Sequence, residues 1–189
     1  MKNNFYLILK SILPDYFISK IKKYLYGNLL KTDIEYNSNL LEKNFASQKD
    51  ISDLLKKSNL NYNSRGLSWH YHLFAAIKIF TEKKSIKINN ILEIGTHNGN
   101  FTNFLSDIFE NSSIYTIDLP SDDFVFRNTY RRSDSDDLIK YLEKRKNNLN
   151  KKNVHFIEMN SINLFKRFKF GYFDLVWIDG DHLNPQVTI

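Results

Sequence analysis

Cysteine is missing from all 189 residues, so neither a disulfide framework nor a thiolate metal site can form, and a reducing cytoplasm is the simplest home for the chain. Long apolar runs are missing too. The opening MKNNFYLILKSILPDYF is interrupted by Lys10, meets Pro14 and carries no small-residue cleavage pattern, far short of the roughly 20 apolar residues that cross a bilayer. A soluble protein is expected. No stretch repeats internally, and charge of one sign is only mildly in excess: 27 basic against 21 acidic residues give a formal +6, spread along the chain. The most basic segment, Lys144 to Lys152, lacks the interleaved aromatic residues that stack on bases, so no nucleic-acid partner is expected and the segment reads as the solvated face of a helix. What is abundant is apolar: 42% hydrophobic and 15% aromatic residues suffice for one core-bearing domain with a helical extension.

Residues 1–85 read as that extension. Pro14 is placed to open a helix whose Phe17, Ile21, Tyr24 and Leu25 share one face before Gly27 ends it. Lys20, Lys22 and Lys23 then form a solvated face on an accessory helix, with peripheral membrane contact as the alternative. In SWHYHLFAAIKIFTEKK, Trp69 and Tyr71 are expected to pack the next helix against the sheet. His70 and His72 are two apart and cannot form the i, i+4 pair of a helical metal site, although one of them could reach a pocket.

Residues 86–189 change character. Four short β-rich runs, NILEIG, SIYTID, VHFIEM and FDLVWID, alternate with segments of helical period, GNFTNFLSDIFEN, SDSDDLIKYLEKRKNNLNKK and SINLFKRFKF. Nearly continuous apolar strands separated by helices predict an α/β fold: a parallel sheet with helices on both faces. Ligands of such sheets bind beyond the carboxyl ends of the strands, so the residues there are the candidates for chemistry.

The first run ends in EIGTHNG, where Gly95 permits a tight turn and Gly99 lets a ligand approach the backbone as a helix begins. No glycine stands at Thr96, His97 or Asn98, which removes the G-x-G-x-x-G spacing of a dinucleotide site. The second run ends in TIDLP, and its Asp118 is suited to accept hydrogen bonds from two ribose hydroxyls. The third gives EMNS, in which Asn160 offers an amide edge to an adenine or, with Ser161, caps a helix. The fourth ends in DGDH. Finishing a buried strand with Asp179, Asp181 and His182 is costly unless that end faces a polar site.

Taken together, ILEIGTHNGNFT, IYTIDLP and FDLVWIDGDH resemble motifs of the class I S-adenosylmethionine-dependent methyltransferases, in particular the small-molecule and sugar O-methyltransferase branches, from about Asn90 to Val187. The resemblance implies a Rossmann-like sheet of strand order 3-2-1-4. It implies S-adenosylmethionine as cofactor, with Gly95, Thr96, His97, Asn98 and Gly99 wrapping its aminocarboxypropyl part and Glu93 near its amine. Asp118, followed by Leu119, would hold the ribose, Asn160 and Ser161 would lie beside the adenine, and Asp179 would face the methyl donor and a small-molecule substrate. His182 is the first candidate for a catalytic base, because an imidazole titrates near neutrality. Some relatives use a divalent cation here, for which Asp179 and Asp181 would be Mg²⁺ donors.

The chain departs from the family in its length. It ends ten residues after Asp179, where relatives continue with a helix and three more strands. The expectation is therefore a truncated, incomplete sheet, the N-terminal part of a longer protein, with FDLVWI on an open edge able to pair with another chain as an oligomer.

Overall fold

The computed structural model describes residue 36 and residues 39–58, 69–129 and 134–180. The helix expected after Pro14 lies outside them, as do Asp181 and His182. The chain divides into two compact units, Met1–Gln48 and Lys49–Ile189. In the first, residues 39–44 are helical, and the N–H groups of Phe45 and Ala46 donate to the Leu41 carbonyl at 2.8 and 3.1 Å where that helix stops.

Helices α1, Gln48–Lys57, and α2, Trp69–Lys83, precede the sheet. The four apolar runs form β1, Asn90–Ile94, β2, Ser113–Asp118, β3, Val154–Glu158, and β4, Leu175–Ile178. All three pairings are parallel and the order is β3-β2-β1-β4, so the expected Rossmann-like α/β architecture is present. The connections are α3, Asn100–Ile108, then α4, Phe124–Asn128, with α5, Ser135–Leu149, and lastly a 3₁₀ helix, Ser161–Lys166. Aspartates start two of them: the Asp123 carboxylate accepts the N–H groups of Val125 and Phe126 at α4, and the Asp134 carboxylate those of Asp136 and Asp137 at α5. The charged connector thus becomes α5, whereas α4 stands in a segment whose sequence pattern predicted no element.

Side chains alternate across the sheet, and the two faces differ. Glu93, Thr116, Phe156 and Trp177 share register on the face covered by α2, α3 and α5. Leu92, Ile117 and Ile157 point the other way, into a cluster closed by Leu164 of the 3₁₀ helix with Phe168 and Phe173. Val176 and Ile178 lie on this second face and stay exposed at 46% and 66%. Among the described residues β4 is an edge strand, as its sequence position implied.

Helix α2 falls within the segment expected as extension, yet it packs on the sheet: the Phe74 ring meets Trp177 and Phe101 with centroids 5.6 and 5.1 Å apart. Tyr71 packs on helix α3, its ring 5.1 Å from Phe101 and 4.9 Å from Phe104, where packing on the sheet was expected. Trp69, expected on the sheet as well, is 40% exposed, because it lies outside the helical arc that carries His70, Tyr71 and Phe74.

At the opposite end of the sheet, Asp174 ties β4 to β1. Its Oδ2 accepts the N–H groups of Asn89 at 2.7 Å and Asn90 at 2.9 Å. Asp174→Ala is expected to lower stability by about 1–2 kcal/mol, the net worth of charge-assisted bonds at an exposed site. Urea unfolding checks this, and a change below a few tenths would show that the pair of bonds is not holding the strand.

Candidate functional site

The carboxyl ends of β1 and β4 approach so closely that only glycine fits between them. Gly95 takes φ +101°, and a Cβ there would stand 2.1 Å from the Asp179 carbonyl oxygen. Its N–H donates to the Ile117 carbonyl at 2.8 Å while the Asp179 N–H donates to that of Ile94 at 2.8 Å, so β1 remains tied to both neighbours up to the point where the chain turns. From there the loop climbs to α3 through Thr96, His97 and Asn98. His97 takes a positive φ of 48°, and Gly99 takes φ 74° immediately before the helix. Gly99 provides no side-chain cap to α3; the Asn98 Oδ1 accepts the Asn100 N–H at 3.1 Å instead.

Glu93 lies beneath this loop. It is 1% exposed, and its carboxylate accepts the hydroxyls of Thr102 from α3 and of Thr116 from β2, the latter at 2.6 Å. Thr96, also buried, closes the group with an Oγ1···Oγ1 contact of 2.7 Å to Thr116. Burial pushes the Glu93 carboxyl up to about 7, against the pull of the two threonine hydroxyls and with added repulsion from Asp179 and Asp118. Strand alternation carries Glu93 to the same face of β1 as buried Ile91.

Asp118 ends β2 under tight control. Its Oδ2 accepts the His97 N–H at 3.1 Å and its Oδ1 the Leu119 N–H at 2.9 Å. The third restraint comes from α5, where Arg145 Nη1 stands 3.8 Å from Asp118 Oδ2. Helix α5 does more than cross over: Tyr141 sets its ring edge-on to His97 at 5.2 Å, and Asn148 Nδ2 donates to the Asn98 carbonyl at 2.8 Å and to Asn100 Oδ1 at 2.9 Å. Residues 141, 145 and 148 lie on one helical stripe, so a single helix face supports the loop and the acid together. Sequence reasoning missed all three, although their i, i+4, i+7 spacing was a readable signal.

Other expected site residues are distributed as follows. Asn160 caps the 3₁₀ helix, its Oδ1 accepting the Ile162 N–H at 3.0 Å, and Ser161 begins that helix. Asp179 is exposed at the end of β4. His70 enters from α2 with its ring 4.5 Å from Phe101 and 5.3 Å from Trp177. Burial pushes the His70 imidazole below its ordinary value, opposed by the charge of Asp179 and aided by His72. Among the described residues no group of three or more His, Asp or Glu could hold a metal ion. No helix among the described residues is long and apolar enough to cross a membrane. A groove of about 980 Å³ does exist, lined by Lys57, Lys78, Ser113 and Asn153, but these stand at the amino-end side of the sheet, and neither Glu93, Asp118, Asp179 nor the Gly95–Gly99 loop lines it.

A parallel sheet that splits at Gly95, with a carboxylate fixed at the end of the next strand and a glycine turn feeding a helix, is a Rossmann-like α/β domain with its polar groups gathered at the switch point of the strand order. Residues 92–189, more than half of the chain, match the model of a methyltransferase domain. The chain belongs to the methyltransferase-domain family, in agreement with the class I resemblance of its strand-end motifs. Among solved structures it is similar to the SAH-bound methyltransferase PaMTH1 of Podospora anserina, at 16% identity over 79% of this chain and 58% of that one, TM-score 0.41. It is also similar to the O-methyltransferase of Bacillus cereus in complex with SAH, at 18% identity over 78% and 60% of the two chains, TM-score 0.36. The chain thus spans less than two thirds of the length of either. No curated protein matches it.

Proposed function

We propose that the chain is the cofactor-binding part of an S-adenosylmethionine-dependent methyltransferase acting on an oxygen of a small hydroxylated metabolite or sugar. The observation that carries the reading is Asp118, a carboxylate held by two backbone N–H groups at the strand end beside the Gly95–Gly99 turn. That arrangement suits a ribose diol, and the backbone turn ahead of α3 suits the amino-acid portion of the cofactor. Asp118 and Asp179 add negative charge, which complements a cofactor with a sulfonium and an ammonium.

When bound, S-adenosylmethionine supplies a methyl group on sulfur, already a good leaving group. The chain's own task is then to align an acceptor oxygen with that carbon and to take its proton. Asp179, at the mouth between β1 and β4, would orient the acceptor. His182 is the base that the sequence favours. His70 is a second imidazole that feels the charge of Asp179, with burial lowering its affinity for a proton.

Titration calorimetry with S-adenosylhomocysteine tests the reading on the intact chain. Asp118→Ala is expected to weaken binding about 30–100-fold, the loss of two hydrogen bonds to a charged group. Absence of binding by the unaltered chain, or equal affinity in the variant, would sink the proposal.

A further inference from the structure

Arg145 is a cation that the methyl-transfer reading does not use. Its side chain is 6% exposed, and its guanidinium carbon sits 4.7 Å from the Phe156 ring centroid, 5.2 Å from that of Phe126 and 6.0 Å from that of Tyr141. Two carboxylates face it: Glu158 at the end of β3, with Nη2 3.4 Å from Oε1, and Asp118 at the end of β2. Nη1 is buried and makes no hydrogen bond among the described residues; what it approaches is Asp118 Oδ2, at 3.8 Å.

Stability alone gives little reason for a charge here. A buried ion pair can usually be replaced by apolar side chains of similar volume at no loss, and an aromatic cage of this kind would accept methionine. A cation at this place does something methionine cannot: it sets a fixed opposite charge beside Asp118 Oδ2, the oxygen that also accepts the His97 N–H. A guanidinium clasped by three rings from α4, α5 and β3 has few rotamers left, so the carboxylate it attracts is constrained as well. The geometry points to Arg145 as a positioning residue that orients Asp118 for the two hydroxyls of a ribose and thereby sets discrimination for ribonucleoside over deoxyribonucleoside ligands. This rests on the cofactor reading above and goes beyond it by placing part of ribose recognition on α5, a helix that need not touch the ligand.

The experiment compares S-adenosylhomocysteine with its 2′,3′-dideoxy analogue by calorimetry on the full chain. The unaltered protein should prefer the ribose form about 30–100-fold. In Arg145→Met, binding of S-adenosylhomocysteine should fall about 10–30-fold while the dideoxy analogue changes less than about 3-fold, so the preference collapses. An equal loss for both ligands assigns Arg145 to packing alone, and an unchanged preference removes it from recognition; either result overturns the inference. Should the Met variant not fold, Arg145→Lys serves, keeping a cation but not the fork that reaches both carboxylates. It should weaken S-adenosylhomocysteine about 3–10-fold and leave the analogue unaffected, and a parallel loss again overturns the inference. Failure of the unaltered chain to bind S-adenosylhomocysteine overturns the cofactor reading, and this inference with it, which separates that outcome from failure in the variants.

Discussion

Gly95→Ala is expected to destabilise the chain by about 2–5 kcal/mol, a large share of the stability of an ordinary domain. Two causes add. At φ +101° an L side chain is strained, at about 1–2 kcal/mol, and the new methyl would stand 2.1 Å from the Asp179 carbonyl oxygen and 2.6 Å from its carbon. Backbone cannot yield as a side-chain tip can, so β1 and β4 must part, with the Asp179 to Ile94 hydrogen bond opened and about 1–3 kcal/mol of overpacking added. Gly171 is the control. It too has a positive φ, 76°, but nothing lies within 4 Å of its would-be Cβ, so Gly171→Ala should cost only about 1 kcal/mol. Urea unfolding of both variants separates conformation from collision. Equal losses at the two sites would mean that the strand ends do not meet as described.

The second large effect is a pH dependence that originates in Glu93. The folded chain holds this proton up to about pH 7, whereas the ordinary carboxyl releases it near 4.5. Between those values the unfolded chain binds fewer protons than the folded one, so stability falls as pH rises through the window and levels off above it. The span corresponds to about 3 kcal/mol. Other carboxylates titrate at the acid end, and the clean quantity is therefore the difference between the unaltered chain and Glu93→Gln. Glutamine keeps an acceptor for the Thr102 and Thr116 hydroxyls but has no proton to lose, so the variant should become the more stable of the two as pH rises from 5 to 8. Urea midpoints at several pH values give the curve. A difference that stays flat would mean that Glu93 is ionised throughout and that its burial is balanced by the threonines.

The fold was readable because its signals are local. Runs such as NILEI and LVWI carry apolar residues at successive positions in place of strict alternation, the pattern of strands in a parallel sheet. The strand ends were readable for the same reason: Asp118 and Asp179 interrupt apolar runs where a carboxylate has no business unless the end is polar. Contacts between distant segments were harder to see. Arg145 stands between Lys144 and Lys146, and composition cannot tell the one cation of the three that turns inward. The partners of Glu93 come from α3 and β2, nine and 23 residues away, and become neighbours only once the sheet is assembled. Helix α4 escaped notice because five residues carry too little period to register, even with the Asp123 cap in place. Asn160 remained ambiguous because amide caps and amide base contacts use the same residue type; its Oδ1 is at the Ile162 N–H.

The stripe on α5 has a consequence for how this segment can vary. Tyr141, Arg145 and Asn148 meet three separate parts of the site from successive turns of one helix, so their spacing works as a ruler. Substitutions on the outer face, at exposed Glu143 or Lys146, leave the ruler unchanged. A residue inserted or deleted between Tyr141 and Asn148 would turn one end against the other by about 100° and move it about 1.5 Å along the axis. Length, more than composition, is what α5 has to keep.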